Sequence, residues 1–220
     1  MPHPISKASK VPLPRAELRA AMSSTHRFYE DQAEEYFQRT VSADLSHLYE
    51  QFLPHVARGG RILDVGCGSG RDLRAFMQKG FRAVGIDSSR ALVELARSFS
   101  GAECVTGRIE EMVFDGQFDG VWACASLLHL PRSAIDDALD RIHKALVAGG
   151  VLFASVQEGD GERVADDGRF YTLYKEAEFL ARVEAAKFDI LESWISKDVL
   201  DQLRPIRWLN VLAKARIGHR

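Results

Sequence analysis

The chain has 220 residues, of which 46% are hydrophobic and 27% are charged, and its formal net charge is −2. This size and composition suit one α/β domain with a sizeable core, and no stretch is long and apolar enough for a secretion signal or a membrane helix. We therefore expect a cytoplasmic protein without a membrane partner, and the charge argues against a nucleic-acid partner, since such proteins are more often basic.

The N-terminal part of the chain divides into a tail and a helical region. Residues 1–21 are assigned to a tail, because four prolines and scattered lysines fall within the first 14 residues, and residues 22–220 to the folded domain. A helical pattern runs from about 15 to 56, with a break expected near 23–25. Farther along, three widely spaced cysteines predict neither a disulfide framework nor a metal site.

From residue 61 onward, apolar strand-like runs alternate with helical patterns. The predicted strands are RILDV, RAVGID, AECVTG, FDGVWACA, VLFASVQ, FDILESWIS and IRWLNVLAKA. The predicted helices cover 69–79, a segment after Ser88 or Ser89, a segment from Ser133 to Gly149 and Gly150, and 175–186. Such alternation predicts a mostly parallel sheet covered by helices on both faces, with the last two strands paired as an antiparallel hairpin at one edge.

The stretch RILDVGCGSGRD places a glycine-rich loop directly after the first strand. The dinucleotide-binding fingerprint would have the spacing G-x-G-x-x-G, whereas this loop has G-x-G-x-G. In addition, Asp64 stands just before the loop, where a carboxylate suits a ligand that carries positive charge better than a phosphate. In open α/β sheets ligands bind beyond the carboxyl ends of the strands, and the loop lies there.

Four segments together resemble the class I S-adenosylmethionine-dependent methyltransferases. They are LDVGCGSG, VGIDSS, FDGVWACASLLHL and ALVAGGVLF, which occur in the family's order, with Ala148 where the family often has proline. The resemblance covers about residues 28–215. It implies a single Rossmann-like, seven-stranded, mostly parallel sheet with the last strand antiparallel, an N-terminal helical cover, and S-adenosylmethionine as the cofactor.

The resemblance also implies where the cofactor binds. Gly66 and Gly68 would let the backbone approach its amino-acid part, Asp64 would orient the loop or counter the ammonium group, and Asp87 would accept hydrogen bonds from the ribose diol. The alternative for Asp87 is that it serves only as a helix N-cap. The full set of candidate cofactor-binding residues is Tyr36, Arg39, Asp64, Gly66, Cys67, Gly68, Arg71, Asp87, Ser88, Arg108, Ile109, Ala123 and Leu128.

Two of these assignments carry alternatives. Many family members have an acid after the third strand that forms a hydrogen bond with the adenine amino group, but here Gly107 or Arg108 occupies that position. Adenine would therefore bind to the backbone of Arg108 and Ile109 or to Glu110. Tyr36 would cover the sulfonium or bond the carboxylate, or it is plain helix packing.

The acceptor side is less defined by the sequence. His129 is the candidate general base, and the alternative is that it only shapes the pocket. A sulfonium donor needs a base only when the acceptor must lose a proton. The segment 158–174 contributes Arg163, Arg169, Tyr171 and Tyr174 as candidate substrate-binding residues, which suit a small acceptor with an oxyanion, or form an ordinary polar loop.

The sequence favours a small-molecule acceptor over a nucleic acid. Family members that methylate exocyclic amines of bases carry an (Asn/Asp)-Pro-Pro-(Tyr/Phe) tetrad after the fourth strand, and here that position reads ACASLLHL. Three alternatives remain: an inorganic oxyanion such as tellurite or a thiol as acceptor, a nicotinamide-dependent oxidoreductase, and a non-catalytic cofactor-binding subunit. A monomer and a homodimer are both compatible with the sequence.

Overall fold

A computed structural model describes residues 13–199 and 206–217. The helices are α1 Arg15–Asp31, α2 Ala33–Thr40, α3 Ser46–Phe52, α4 Arg71–Gln78, α5 Arg90–Ser100, α6 Ile135–Ala145 and α7 Glu176–Ala185. The strands are β1 Arg61–Val65, β2 Arg82–Asp87, β3 Glu103–Thr106, β4 Phe118–Cys124, β5 Leu146–Gln157, β6 Gly161–Val164, β7 Phe170–Leu173, β8 Phe188–Lys197 and β9 Arg207–Ala215. Short 3-10 turns cover Leu53–His55, Ile109–Glu111 and Leu127–His129.

Seven of these strands form one sheet in the order β3-β2-β1-β4-β5-β9-β8. The pairs among β1 to β5 are parallel, whereas β9 is antiparallel to both of its neighbours, β5 and β8. The strand order reverses between β1 and β4, which opens a crevice at their carboxyl ends. The predicted fold class and the edge hairpin are thereby confirmed.

Helices cover both faces of the sheet, so two apolar layers form around it. On one face, Leu48 and Phe52 of α3 pack with Phe76 of α4 and Ala96 of α5. On the other face, the core includes apolar side chains of α6, α7 and the segment 170–174. Within the part of the chain that the structure describes, no helix is long and apolar enough to cross a membrane.

The N-terminal helix corrects the predicted tail and the predicted helix break. Residues 1–12 of the tail lie outside the described residues, but α1 already begins at Arg15 and continues without interruption to Asp31. Thr25, taken as part of a break, instead donates from its hydroxyl to the carbonyl of Ala21, four residues earlier in the same helix, at 2.9 Å. The chain breaks only at Gln32, between α1 and α2.

Two other boundaries differ from the prediction. Ser133 does not cap α6, since a turn in which the Ala134 N–H donates to the Pro131 carbonyl delays the helix to Ile135. Helix α6 ends at Ala145 rather than at Gly149 and Gly150, because Leu146 already pairs with β4.

The segment 158–174, expected as a polar loop, contains a second small sheet. Strands β6 and β7 pair antiparallel there, and Glu158 bridges to Tyr174. This hairpin contacts α1: the Phe170 N–H donates to the Thr25 hydroxyl at 2.8 Å. Helix α1 and the hairpin therefore form a joint cover beside the carboxyl ends of the strands.

Candidate active site

A pocket lies beyond the carboxyl ends of β1, β2 and β4, under the N-terminal cover. Its walls come from five segments: α1 and α2, the glycine loop, the end of β2 with the start of α5, the segment after β3, and the segment after β4. The lining residues are Met22, Thr25, His26, Tyr29, Tyr36, Gly66, Gly68, Ile86, Asp87, Ser88, Leu92, Gly107, Arg108, Ile109, Glu110, Ala125, Ser126, His129 and Leu130.

The glycine loop leaves no room for side chains at two of its positions. Gly66 has a φ of +77°, and a Cβ there would lie 2.5 Å from the Cβ of Ser126. At Gly68, with a φ of +50°, a Cβ would lie 3.2 Å from the Tyr36 ring. The loop is therefore enclosed by α2 and by the segment after β4, and glycine is required by this packing as well as by a ligand's approach.

Asp87 ends β2 and is held by the backbone on both sides. Its Oδ2 accepts the Gly68 N–H at 3.0 Å, and its Oδ1 accepts the Ser89 N–H at 2.9 Å. Burial raises the pKa of the Asp87 carboxyl, although these hydrogen bonds act to lower it. The N-cap of α5 is Ser89, whose hydroxyl accepts the Leu92 N–H, so capping does not account for Asp87.

Below the loop, a buried polar cluster fixes the start of α4. Asp72 accepts hydrogen bonds from the Tyr49 hydroxyl at 2.5 Å and from the Trp122 indole at 3.0 Å. It also forms a hydrogen-bonded salt bridge with Arg71. Asp64, only 2% exposed, has an Oδ2 atom without a hydrogen-bond partner among the described residues. Burial, together with the nearby charge of Asp72, raises the pKa of Asp64 well above its usual value.

On the acceptor side, Tyr29 and His129 form a hydrogen-bonded pair. The His129 Nδ1 lies 2.7 Å from the Phe170 carbonyl, which can only accept, so Nδ1 carries the hydrogen. The bare Nε2 then accepts the Tyr29 hydroxyl at 2.8 Å. Burial lowers the pKa of His129 to about 4 and raises that of Tyr29, so both are neutral near pH 7.

The β6–β7 hairpin places aromatic and cationic groups beside this pair. The Tyr171 ring lies 4.9 Å from the His129 ring, and the Arg163 guanidinium stacks over Tyr171 at 4.7 Å. Arg169 pairs with Asp167 and extends its Nη1 to within 3.5 Å of the Tyr29 oxygen. We call the packed rings of Tyr29, His129 and Tyr171 the aromatic cluster, of which Tyr29 and His129 line the pocket.

Tyr174 does not belong to this group, which corrects its prediction as a substrate-binding residue. Its side chain is fully buried, its ring packs on Phe179 with centroids 5.1 Å apart, and the Arg132 guanidinium covers it at 4.9 Å. The tyrosine therefore packs in the core instead of facing the pocket.

The pocket wall contains eight of the residues predicted for the site. They are Tyr36, Gly66, Gly68, Asp87, Ser88, Arg108, Ile109 and His129. The other candidates for cofactor contact stand behind or outside the wall. Ala123 and Leu128 are buried in the core, the Cys67 thiol packs over Gly85, and Arg39 is exposed with its guanidinium 5.6 Å from the Tyr36 ring.

Sequence reasoning missed the contribution of α1. Met22, His26 and Tyr29 recur every three or four residues and so share one helical face, which becomes part of the pocket wall. Ser126, whose Oγ is buried and without a hydrogen-bond partner in the described chain, was also missed. The only sequence signal for α1 was this spacing, and it is shared by helices that merely pack on a core.

The glycine loop, the acid at the end of the second strand and the pocket at the strand-order reversal define a nucleotide-cofactor-binding α/β protein. A family model described as "Methyltransferase domain" matches residues 62–150. This match spans the glycine loop, Asp87 and the start of β5.

Named relatives and solved structures agree with this assignment. A tRNA U34 carboxymethyltransferase from Sodalis glossinidius is 34% identical over 161 residues, covering 68% of this chain and 48% of that protein. One from Pectobacterium carotovorum is 33% identical, covering 68% and 47%. The structure of 1,6-didemethyltoxoflavin-N1-methyltransferase from Burkholderia thailandensis, with its acceptor and S-adenosylhomocysteine bound, superposes with a TM-score of 0.70 at 25% identity and covers 97% and 95% of the two chains.

The chain belongs to the class I S-adenosylmethionine-dependent methyltransferases. The predicted enzyme class and cofactor are thereby confirmed. The pocket fits that cofactor on its own evidence: a ribose diol suits the acceptor-rich Asp87 carboxyl, and the unpartnered Asp64 and Ser126 oxygens lie at the loop that would hold the amino-acid part. The chain spans about half the length of the curated relatives it matches.

The expectation of a small-molecule acceptor was wrong to exclude a nucleic-acid partner, because several relatives are named as tRNA-modifying enzymes. Both of its arguments have a physical weakness. Net charge is a property of the whole chain and does not describe the surface around one pocket. The missing tetrad concerns exocyclic amines, and uridine has none.

Proposed function

We propose that this protein transfers the methyl group of S-adenosylmethionine to a base of a transfer RNA, with uridine 34 as the first candidate, in the cytoplasm. The observation that carries the proposal is the aromatic cluster, whose Tyr29 and His129 line the same pocket as the glycine loop. Enzymes that modify a base must take it out of the stack, and aromatic walls hold such a base by stacking. The tRNA-modifying relatives support this acceptor.

Methyl transfer from this cofactor requires mainly that the protein position the acceptor. When bound, S-adenosylmethionine supplies an activated methyl group for an in-line displacement, so the protein's tasks are to orient the acceptor and to exclude water. In this proposal the Tyr29 oxygen, which keeps a lone pair beside its bonds to His129 and Arg169, accepts a hydrogen bond from the base. His129 acts as the positioning residue that fixes the direction of the Tyr29 hydroxyl, because a pKa of about 4 makes it a weak proton acceptor.

The outer part of α1 offers a path for the RNA backbone. Arg15 and Arg19 lie on the same helical face as Met22 and His26 of the pocket wall, and both are exposed. Neither forms an ion pair with another residue of the described part of the chain. Arg108, also exposed, lines the pocket itself. Arginines so placed suit phosphates that flank an extruded base, which position the RNA without reading its sequence.

The acceptor is tested by incubating the purified protein with S-adenosylmethionine labelled in the methyl group and with bulk bacterial tRNA. We expect label in the tRNA, and in a uridine-derived nucleoside after digestion, but none in ribosomal RNA. Label that enters 1,6-didemethyltoxoflavin but no RNA would refute the tRNA proposal while leaving methyl transfer intact.

The role of the aromatic cluster is tested with Tyr29→Phe, which keeps the ring and removes the hydroxyl. We expect kcat to fall by about tenfold or more, since a lost acceptor hydrogen bond costs about 1.4 kcal/mol, with the S-adenosylhomocysteine Kd unchanged. An unchanged kcat would mean that the hydroxyl only fastens α1 to His129.

The RNA path is tested with the double variant Arg15→Gln/Arg19→Gln. Its KM for tRNA should rise, and the salt dependence of tRNA binding should weaken by about one unit of slope per arginine that contacts phosphate. The matched control is Arg58→Gln, an exposed arginine just before β1, at the opposite end of the sheet. Equal effects of the double variant and the control would rule out this path.

A further inference from the structure

His26 is a pocket residue that neither the sequence motifs nor the relatives assign. It lies on α1 between Met22 and Tyr29 and lines the same pocket as Asp87 and Ser88. Its Nδ1 is buried and has no hydrogen-bond partner among the described residues. A buried imidazole nitrogen without a partner costs free energy unless a ligand or water satisfies it.

The surroundings of His26 point to the ribose end of the pocket. His26 is close enough to Asp87 to act on its carboxyl electrostatically, although burial of that carboxyl dominates and raises its pKa. His26 acts to lower the pKa of both Asp87 and Glu30. Glu30 accepts the Ser89 hydroxyl at 2.7 Å at the start of α5. The imidazole therefore stands next to the segment that follows β2, where the cofactor's ribose is expected.

Asp87 alone cannot satisfy a ribose diol. A carboxylate only accepts hydrogen bonds, and each Asp87 oxygen already accepts one backbone N–H. Its remaining lone pairs can take the hydrogens of the two ribose hydroxyls, but the hydroxyl oxygens then lack a donor. An imidazole provides at least one N–H donor, which is what Asp87 lacks.

We propose that His26 binds a ribose hydroxyl of the adenosyl cofactor opposite Asp87, so that the diol is held between a carboxylate from β2 and an imidazole from α1. The inference rests on the cofactor assignment and is independent of the acceptor. It makes α1 part of the cofactor site: bound cofactor joins the N-terminal cover to the sheet.

The test is calorimetric titration with S-adenosylhomocysteine and with its 2′-deoxy and 3′-deoxy analogues. We compare the wild type with His26→Phe, which keeps a flat ring but cannot form hydrogen bonds, and with His26→Gln, which retains a donor and an acceptor. His47→Phe, at an exposed position of α3, is the matched control. Circular dichroism checks that each variant is folded.

We expect His26→Phe to weaken S-adenosylhomocysteine about tenfold, as for the loss of one buried hydrogen bond, and His26→Gln to weaken it less. The deoxy analogue that lacks the contacted hydroxyl should bind the wild type and His26→Phe equally well, because the partner of His26 is already missing. Equal losses for all three ligands would show a packing role and overturn the inference, as would unchanged affinity. A wild type that binds none of them would instead refute the cofactor assignment, which separates the two failures.

Discussion

The buried state of His129 predicts a loss of stability in acid that one substitution should remove. The ordinary pKa of histidine is 6.5, and burial lowers that of His129 to about 4 in the folded protein. A group whose pKa is lowered by folding contributes stability that is complete above its unfolded pKa and is lost as the pH falls to the folded pKa. The window is therefore about pH 6.5 to about 4.

The size of this effect follows from the shift. A difference of about 2.5 units at about 1.4 kcal/mol per unit gives about 3.5 kcal/mol, which is an upper limit because the His129 ring keeps some exposure at the pocket wall. Urea unfolding at about pH 7.5 and about pH 4.5 measures it. Between these two pH values the free energy of unfolding of the wild type should fall by about 2–3 kcal/mol more than that of His129→Gln. The control His55→Gln, at an exposed site, should behave as the wild type. If His129→Gln loses as much stability as the wild type, the buried neutral state of His129 is refuted.

Two further substitutions test the loop and the cluster beneath it. Gly66→Ala should weaken the binding of S-adenosylhomocysteine, measured by calorimetry, by about tenfold or more, since the new Cβ would lie 2.5 Å from the Cβ of Ser126. The control Gly101→Ala has a similar φ of +74° and nothing within 4 Å, so its affinity should not change. Equal affinities of the two variants would contradict the packing argument. Asp72→Asn should lower the free energy of unfolding by about 3–5 kcal/mol, because it leaves the Arg71 charge buried without its partner, while the exposed Asp137→Asn should change it by less than about 0.5 kcal/mol. A small loss for Asp72→Asn in urea unfolding would show that water reaches Arg71.

The sheet and the glycine loop could be predicted because their signals are local. The strand RILDV is apolar along its length, and the glycines that follow it need positive φ angles that other residues avoid. Such features depend on the chain within a few residues. The motif order then fixed the strand order and placed Asp87 at the pocket.

The N-terminal cover was harder to predict from the sequence, because a side-chain hydroxyl can form hydrogen bonds either with the local backbone or with a distant segment. Ser23, Ser24 and Thr25 in a row are typical of a helix end, since their side chains compete for backbone groups. In the folded chain Thr25 is used instead to hold the hairpin, through the N–H of Phe170, which is 145 residues away. A contact of that separation leaves no trace in the local pattern, so neither the continuity of α1 nor the roles of His26 and Tyr29 followed from it.

The hairpin shows the same limit for substrate-side residues. Tyr171 and Tyr174 looked equivalent in a segment rich in glycine and charge, but β7 ends at Leu173, and the side chain of Tyr174 turns into the core at Phe179. Alternation along a strand of four residues is too short to be recognised against the surrounding polar residues.

The position of β9 has a consequence for how the chain is synthesised. It follows β8 in the sequence, yet it lies inside the sheet, with its backbone paired to β5 on one side and to β8 on the other. During translation β5 and β8 are made before the strand that joins them, so each has an unpaired edge until β9 has left the ribosome. A chain interrupted before Arg207 would therefore have an unpaired edge on each of these two strands, a state prone to aggregation and in need of protection by chaperones.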